Sequence, residues 1–234
     1  MTDRRQNAQM LAQALAQADA SDASLDAKLA AYVARSREIL PEVLAAYDRL
    51  VARLERAGAG SGAPGVGEEL PAFALADNTG RLVHLEQLLA HGPVVISFNR
   101  GHWCPYCQLE LRALMRAAPH LQQRQVEIVS IVPETGDHRD KLVRDHGLPF
   151  RVLTDVDLGY TLSLGLMIAV NAEVIEIYRE LGIDLPRFQG QEGWFLPIPA
   201  TYVVDRNRRI KAGFVSPDFR RRMTLEQIEA ALGA

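Results

Sequence analysis

The chain holds only two cysteines, Cys104 and Cys107, at the seam between an apolar run and a helical pattern. No other stretch constrains the fold as much. Pro93-Val94-Val95-Ile96-Ser97-Phe98 is apolar on both faces, as a buried central strand is. After a short loop, Leu109, Leu111, Leu114, Met115 and Ala118 give a helix one core face. Pro105 suits its first turn, where a missing N–H costs nothing, and Pro119 is expected to end or kink it. A strand passing into a helix whose first turn carries Cys-x-x-Cys calls for an α/β arrangement.

That placement has chemical consequences. A free cysteine with a pKa of ~8.5 is mostly protonated at neutral pH, and only the thiolate reacts. At a helix start, unpaired N–H groups and the positive helix end stabilise an anion. Cys104 is therefore expected to be the exposed nucleophile. Cys107, one turn further in on the same side, is expected to be the shielded resolving thiol. A zinc site would need four ligands, yet there is no second Cys-x-x-Cys, and His102, His120, His138 and His146 are scattered. Two buried cysteines without a role are the plain alternative. Redox chemistry is the reading that the strand-to-helix placement supports, and it implies no cofactor.

A chain of 234 residues suits one domain with a substantial appendage, or two small ones. A net charge of −3 makes no case for nucleic acid or an anionic membrane. No apolar run approaches the roughly 18 residues that span a bilayer. Arg4 and Arg5 are followed by Gln9, Gln13 and Gln17, which interrupt any secretory h-region, so the default compartment is the cytoplasm. There a lone Cys-x-x-Cys is more often catalytic or metal-binding than a structural staple.

The pattern divides the chain into three regions. Residues 1–57 read as an N-terminal helical extension. Leu29, Tyr32, Val33, Leu40, Val43, Leu44, Tyr47, Leu50, Val51 and Leu54 recur at spacings of three and four, with a break near Leu40 before Pro41. That stripe would cover its own domain or form a homodimer face. Residues 58–66 have the composition of a flexible linker. Residues 67–234 form the main domain. It opens with a hairpin around Asp77-Asn78-Thr79-Gly80 and a helical turn from Glu86 to Ala90, ahead of the strand at 94–98. After the cysteine-bearing helix come a strand at 126–132, a helix at 137–146, a strand at 150–153 and a helix from Leu158 to Leu164. Val174 to Tyr178 reads as a strand, followed by an irregular loop through Gly182, Pro186, Gly190 and Gly193. An antiparallel pair at 200–205 and 210–214 precedes a final helix from Thr224 to Leu232. Together these make a mixed α/β sheet with helices on both faces.

Trp103-Cys104-Pro105-Tyr106-Cys107 resembles a thioredoxin-type active site, with the Pro-Tyr insert of glutaredoxins. Ile198-Pro199-Ala200-Thr201 resembles the segment where thioredoxin-like folds carry a cis-proline. By that match Pro199 would be cis and would flank Cys104. The whole span from Gly67 to Leu232 resembles the peroxiredoxin-like branch of the alkyl hydroperoxide reductase/thiol-specific antioxidant (AhpC/TSA) family. The resemblance rests on Gly67-Glu68-Glu69-Leu70-Pro71-Ala72-Phe73, Gly92-Pro93-Val94-Val95, Arg100 to Leu111, Leu196 to Thr201, and Asp218-Phe219-Arg220-Arg221-Arg222. It implies a thioredoxin-like, peroxiredoxin-type fold.

The departures bear on activity. Members of this family ordinarily carry Thr or Ser where Gly101 stands, and Arg where Pro199 stands. Arg100 and Arg222 are the substitutes, each able to stabilise a thiolate or a peroxide oxygen, or else to sit as a surface charge. His102 either tunes Cys104 or faces solvent, as loop histidines commonly do. Trp194 and Phe195 form a rim over the site or pack in the core. The resemblance implies a peroxidase: the Cys104 thiolate attacks a peroxide, Cys107 condenses with the sulfenic acid, and an external thioredoxin- or glutathione-like thiol clears the disulfide. A thiol–disulfide reductase using the same pair is favoured by the missing Thr and Arg. A non-catalytic redox sensor is the third reading. The candidate site residues are Cys104, Cys107, Arg100, Trp103 and Pro199.

Overall fold

Three helices precede the sheet in the computed structural model, which describes residues 2–233: α1 (Thr2–Ala20), α2 (Leu25–Ile39) and α3 (Pro41–Arg56). Ser24 caps α2 by accepting the Ala27 N–H. The break falls at Leu40. Its φ of −134° and ψ of 65° leave the helix, while its N–H still reaches Ser36 O at 2.8 Å. Pro41 then opens α3, where its missing donor is harmless.

The apolar stripe of these helices covers its own chain. Leu25, Leu29, Tyr32, Leu50, Val51 and Leu54 share one buried cluster with Cys104, Cys107, Leu109 and Tyr178. Ion pairs fasten the layer at its margins. Asp19 meets Arg112 at 2.9 Å and Arg116 at 3.0 Å, and Asp48 meets Arg220 at 2.6 Å. Leu50 is buried in that cluster. Leu50→Ala is expected to cost about 2–5 kcal/mol, seen as a lower urea midpoint at unchanged slope.

From Ala57 to Gly67 the chain runs in turns, and the Gly67 N–H reaches Ile210 O at 2.8 Å. Beyond it lie β1 (Ala74–Asp77), β2 (Leu82–His84), α4 (Leu85–Leu89), β3 (Val94–Phe98), α5 (Pro105–Gln123), β4 (Glu127–Val132), α6 (Gly136–His146) and β5 (Arg151–Thr154). A 3-10 turn at Val156–Leu158 leads into α7 (Gly159–Ser163), β6 (Met167–Ala169), α8 (Ala172–Glu180) and α9 (Leu185–Gln189). The chain closes with β7 (Phe195–Pro197), β8 (Ala200–Val204), β9 (Ile210–Val215) and α10 (Leu225–Gly233).

Seven strands make one sheet in the order β2-β1-β5-β4-β3-β8-β9, with β3, β4 and β5 parallel and β8 antiparallel to β3. Strand alternation sorts the core. Val94, Ile96 and Phe98 face α4 and the segment around Leu164 and Leu166, while Val95 faces Leu114 and Leu121 of α5 and Ile228 of α10. Helices therefore cover both faces. Among the described residues, no helix is long and apolar enough to cross a membrane.

Three local expectations are corrected. Val174 to Tyr178 is not a strand but the middle of α8. Its β-branched residues suggest extension, yet the two fully buried side chains, Val174 and Tyr178, are four apart, the spacing of one helical face. The loop after it contains α9, with Asp184 accepting the Arg187 N–H at 3.2 Å and Gly190 closing it in the left-handed region. On either side of α8 and this loop, β6 and β7 pair with each other, Met167 opposite Pro197. Pro119 does not end α5, which continues to Gln123. Pro119 lies on the exposed side, and buried Ala118 and Leu121 hold the helix to the sheet.

Candidate active site

β3 delivers its loop between the ends of β4 and β8, since Ser97 is registered against both Ser130 and Thr201. The carboxyl ends of parallel strands are where such sheets open a crevice. Asn99 roots the loop. Its Nδ2 donates to Ser97 Oγ at 2.8 Å and Ser130 Oγ at 3.1 Å, and its N–H to Ile131 O at 2.8 Å.

Glu134, just past the end of β4, is fully buried and shapes the loop from Gly101 to Trp103. Its Oε2 accepts the His102 N–H at 2.8 Å, and its Oε1 lies 2.6 Å from His102 Nδ1. His102 also packs on Phe188 and His138. It is thus neither a solvent-facing loop residue nor a partner of Cys104. The same carboxylate explains Gly101, whose φ is +135°. A β-carbon there would lie 2.4 Å from Glu134 Oε1. The Thr or Ser usual at this position has no room, because a buried glutamate occupies it.

Cys104 is the N-cap of α5, with φ −87° and ψ 112°, and its N–H reaches Gly101 O at 3.2 Å. Pro105 and Tyr106 carry the chain to Cys107 one turn on. Both are free thiols and both have no solvent exposure, which corrects the expectation of an exposed Cys104. Its cover comes from residues far away in sequence. Tyr32, Tyr47, Leu11 and Leu15 of the N-terminal helices join Trp103, Arg100 and Phe219 around a largely apolar cleft of about 740 Å³, with Cys104 in its wall.

The two sulfurs differ sharply. Burial works against a thiolate at Cys104, yet the Cys107 thiol hydrogen-bonded to it and the guanidinium groups of Arg100 and Arg222 prevail, lowering it to about 6. Burial and the neighbouring Cys104 push Cys107 well above the ordinary thiol range. Cys107 is nonetheless well supplied with donors: Arg222 Nη2 at 3.2 Å and the Arg100 backbone N–H at 3.3 Å.

Arg100 and Arg222 are both buried, so neither is a solvated surface charge. The Arg100 guanidinium bonds the Tyr178 hydroxyl and lies 4.0 Å from the Phe219 ring centre and 5.0 Å from that of Trp103. Arg222 Nε donates to Glu110 Oε2 at 2.5 Å, and its Nη1 to Phe219 O at 2.6 Å and Arg221 O at 2.8 Å. Ser97 Oγ and Thr201 Oγ1 donate to the other Glu110 oxygen at 3.0 and 2.9 Å. Trp103 packs edge-on to Tyr178, and its Nε1 is buried with no partner among the described residues.

Pro199 is buried, one residue before Ala200, which is registered against Phe98. It is not cis: every peptide bond among the described residues is trans. Nor does it line the Cys104 cleft, and Trp194 and Phe195 also lie outside it. Tyr178, Glu110 and Glu134 are the site residues that sequence reasoning does not single out. Tyr178 is hidden by the strand reading of its helix. Glu134 carries a signal, as a polar residue just beyond a buried parallel strand.

A lowered thiolate at the head of a helix, fed by the central strand of a mixed sheet, defines a thiol-dependent oxidoreductase of thioredoxin-like fold. Comparison with known families is consistent: the AhpC/TSA family profile matches residues 66–212, over half of the chain, and the chain belongs to that family. It is accordingly a thiol-dependent peroxidase. Solved structures give the same fold. Peroxidoxin BcpB from Mycobacterium tuberculosis shares 20% identity at a TM-score of 0.56, covering 72% of this chain and 96% of its own. A peroxiredoxin 6 variant from Arenicola marina shares 14% at 0.55, covering 71% of each chain. A thiol peroxidase from Chromobacterium violaceum shares 18% at 0.55, covering 73% and 87%. No curated protein matches the chain.

Proposed function

We propose that Cys104 is the peroxide-reducing thiolate and that Cys107 resolves it within the same subunit. The Cys104 thiolate attacks one peroxide oxygen. The O–O bond breaks, the sulfur becomes a sulfenic acid, and the other oxygen leaves as water or an alcohol after taking a proton. The Cys107 sulfur then attacks Cys104, a disulfide forms and water departs. Two electrons from an external thiol restore both thiols.

One observation carries this assignment: Cys104 lies in the cleft wall with a lowered pKa, while Cys107 lies behind it, raised. The cleft also favours peroxide over a protein disulfide as oxidant. A fully buried sulfur walled by Tyr32, Tyr47 and Leu15 admits a small or apolar molecule more readily than a folded partner. Arg100 serves as the fixed cation beside Cys104 in place of the arginine usual in the family.

The pH dependence tests it. Stopped-flow Trp fluorescence, with Trp103 beside the reacting sulfur, follows oxidation of the reduced protein by hydrogen peroxide and by an aryl hydroperoxide. The second-order rate is expected to rise about tenfold per pH unit below the Cys104 pKa and to level off above it. That midpoint is expected at about 6. A midpoint near that of free cysteine, or a rate no faster than a free thiol at matched thiolate, defeats the assignment.

A further inference from the structure

The arginine that hydrogen-bonds a sulfur directly does so at the one that does not meet the peroxide. Arg222 reaches Cys107 Sγ at 3.2 Å, and its orientation is over-determined. Its Nε is tied to Glu110, and its Nη1 is tied to two carbonyl oxygens. Glu110 is in turn held by the hydroxyls of Ser97 on β3 and Thr201 on β8. All five side chains are buried, with exposures of 3% or less. A charged pair is not retained in a dry interior cheaply, and although the Arg222 charge helps lower Cys104, its hydrogen bond is made to the Cys107 sulfur.

We propose that Glu110 is a positioning residue that fixes Arg222 against Cys107, and that Arg222 makes Cys107 the second thiolate of the cycle, available only after Cys104 has been oxidised. This rests on Cys107 being the resolving thiol. In the reduced protein Cys107 keeps its proton and donates it in a hydrogen bond to the Cys104 thiolate, whose charge holds Cys107 neutral. Once Cys104 is a sulfenic acid that negative charge is gone, while Arg222 and the Arg100 N–H remain on the Cys107 sulfur. Cys107 then ionises, its sulfur attacks the Cys104 sulfur, and the S–O bond breaks. The departing hydroxide takes up the proton Cys107 released, leaving as water. The groups that face Cys107 are Cys104 from the start of its own helix, the Arg100 backbone N–H, and Arg222 from the C-terminal segment, with Glu110 on the far side of the Arg222 fork. The Arg100 guanidinium and Tyr178 lie further off.

The test begins without peroxide. In Cys104→Ser, where Cys107 is the sole thiol, ultraviolet thiolate absorbance gives its titration directly. Cys107 is expected to ionise at lower pH than in the native protein. Adding Arg222→Met is expected to raise its midpoint by about one pH unit or more, a tenfold smaller thiolate population at a given pH. Arg222→Lys, which keeps the charge but loses the fork that spans Glu110 and Cys107, is expected to recover only part of the shift. If Arg222→Met fails to fold because Glu110 is stranded, Arg222→Met with Glu110→Gln removes the unpaired charge and reports the same midpoint. Thr201→Val, which removes one of the two hydroxyl donors on Glu110 Oε1, is expected to move it the same way by less. An unmoved midpoint in the Met variants overturns the proposal.

Stopped flow on proteins with both cysteines then separates the steps. Arg222→Met is expected to slow the second, peroxide-independent phase at least tenfold, with recovery as pH rises. A loss confined to the first phase overturns the proposal. Absence of any peroxide phase in the native protein would instead defeat the peroxidase assignment, while the Cys107 titration still stands on its own.

Discussion

Cys104→Ser is expected to lower peroxide reduction by at least about a thousandfold, the scale on which removing an enzyme nucleophile acts. A serine hydroxyl does not ionise in the accessible pH range, and the oxygen cannot replace a polarisable sulfur in attack on an O–O bond. Cys107 does not stand in for it, because it lies behind Cys104 in the wall and outside the cleft. Cys107→Ser behaves differently. It keeps the Cys104 thiolate within reach of Arg100, so the first turnover proceeds, and catalysis stops at a sulfenic acid that a dimedone adduct reveals by mass. The Cys107 thiol is one of the forces lowering Cys104. A Ser hydroxyl is a stronger donor than a thiol, so the Cys104 thiolate keeps a donor and the midpoint of the first step does not rise in this variant. Steady-state turnover falls in both variants, but only Cys104→Ser loses the first phase. Equal loss of that phase in the two would reverse the assigned roles.

Gly101→Thr, which restores the residue usual in the family, is expected to destabilise the protein by about 3 kcal/mol or more, not to improve it. Holding a non-glycine residue in a sparsely populated backbone region costs roughly 1–3 kcal/mol, and Gly101 has φ +135°. The new β-carbon would also displace the buried Glu134 carboxylate from the His102 N–H and ring. Hydrogen bonds to charged groups are worth about 1.5–3 kcal/mol each. The loss is read as a fall in urea midpoint, with peroxidase rate falling alongside because residues 99–104 are one loop. Gly101→Ala already carries most of the penalty, since the clash begins at the β-carbon. A Thr variant as stable as the native protein would mean that Glu134 can vacate the position.

Much of this site is legible in the chain. The strand, loop and helix around Cys104 follow from the apolar run at 94–98, the core face of Leu109, Leu111 and Leu114, and Pro105 in the first turn. Those signals are local and agree with one another. The break at Leu40 and the Asp77–Gly80 hairpin are legible for the same reason. Val174 to Tyr178 reads wrongly as a strand because β-branched composition outweighs a four-residue burial spacing that only packing makes visible. The loop from Gly182 to Gly193 does contain its helix signals, Asp184, Pro186 and Gly190, but over five residues they resemble turn chemistry.

Consecutive residues suffice to specify a Cys-x-x-Cys at the start of a helix leaving a buried parallel strand, and so a thiol redox protein of a recognisable family. Strand and helix periodicities are local properties, and a helix end lowers a thiol wherever the helix lies. Tertiary packing sets how the two sulfurs divide the work. Cys104 is buried by helices that precede its own strand, the space beside Gly101 is filled by Glu134 from beyond the next strand, and the nearest arginine to Cys107 comes from residue 222. These are contacts between residues remote in sequence. They arise from chain closure around one core, and no local pattern encodes which charge will face which sulfur.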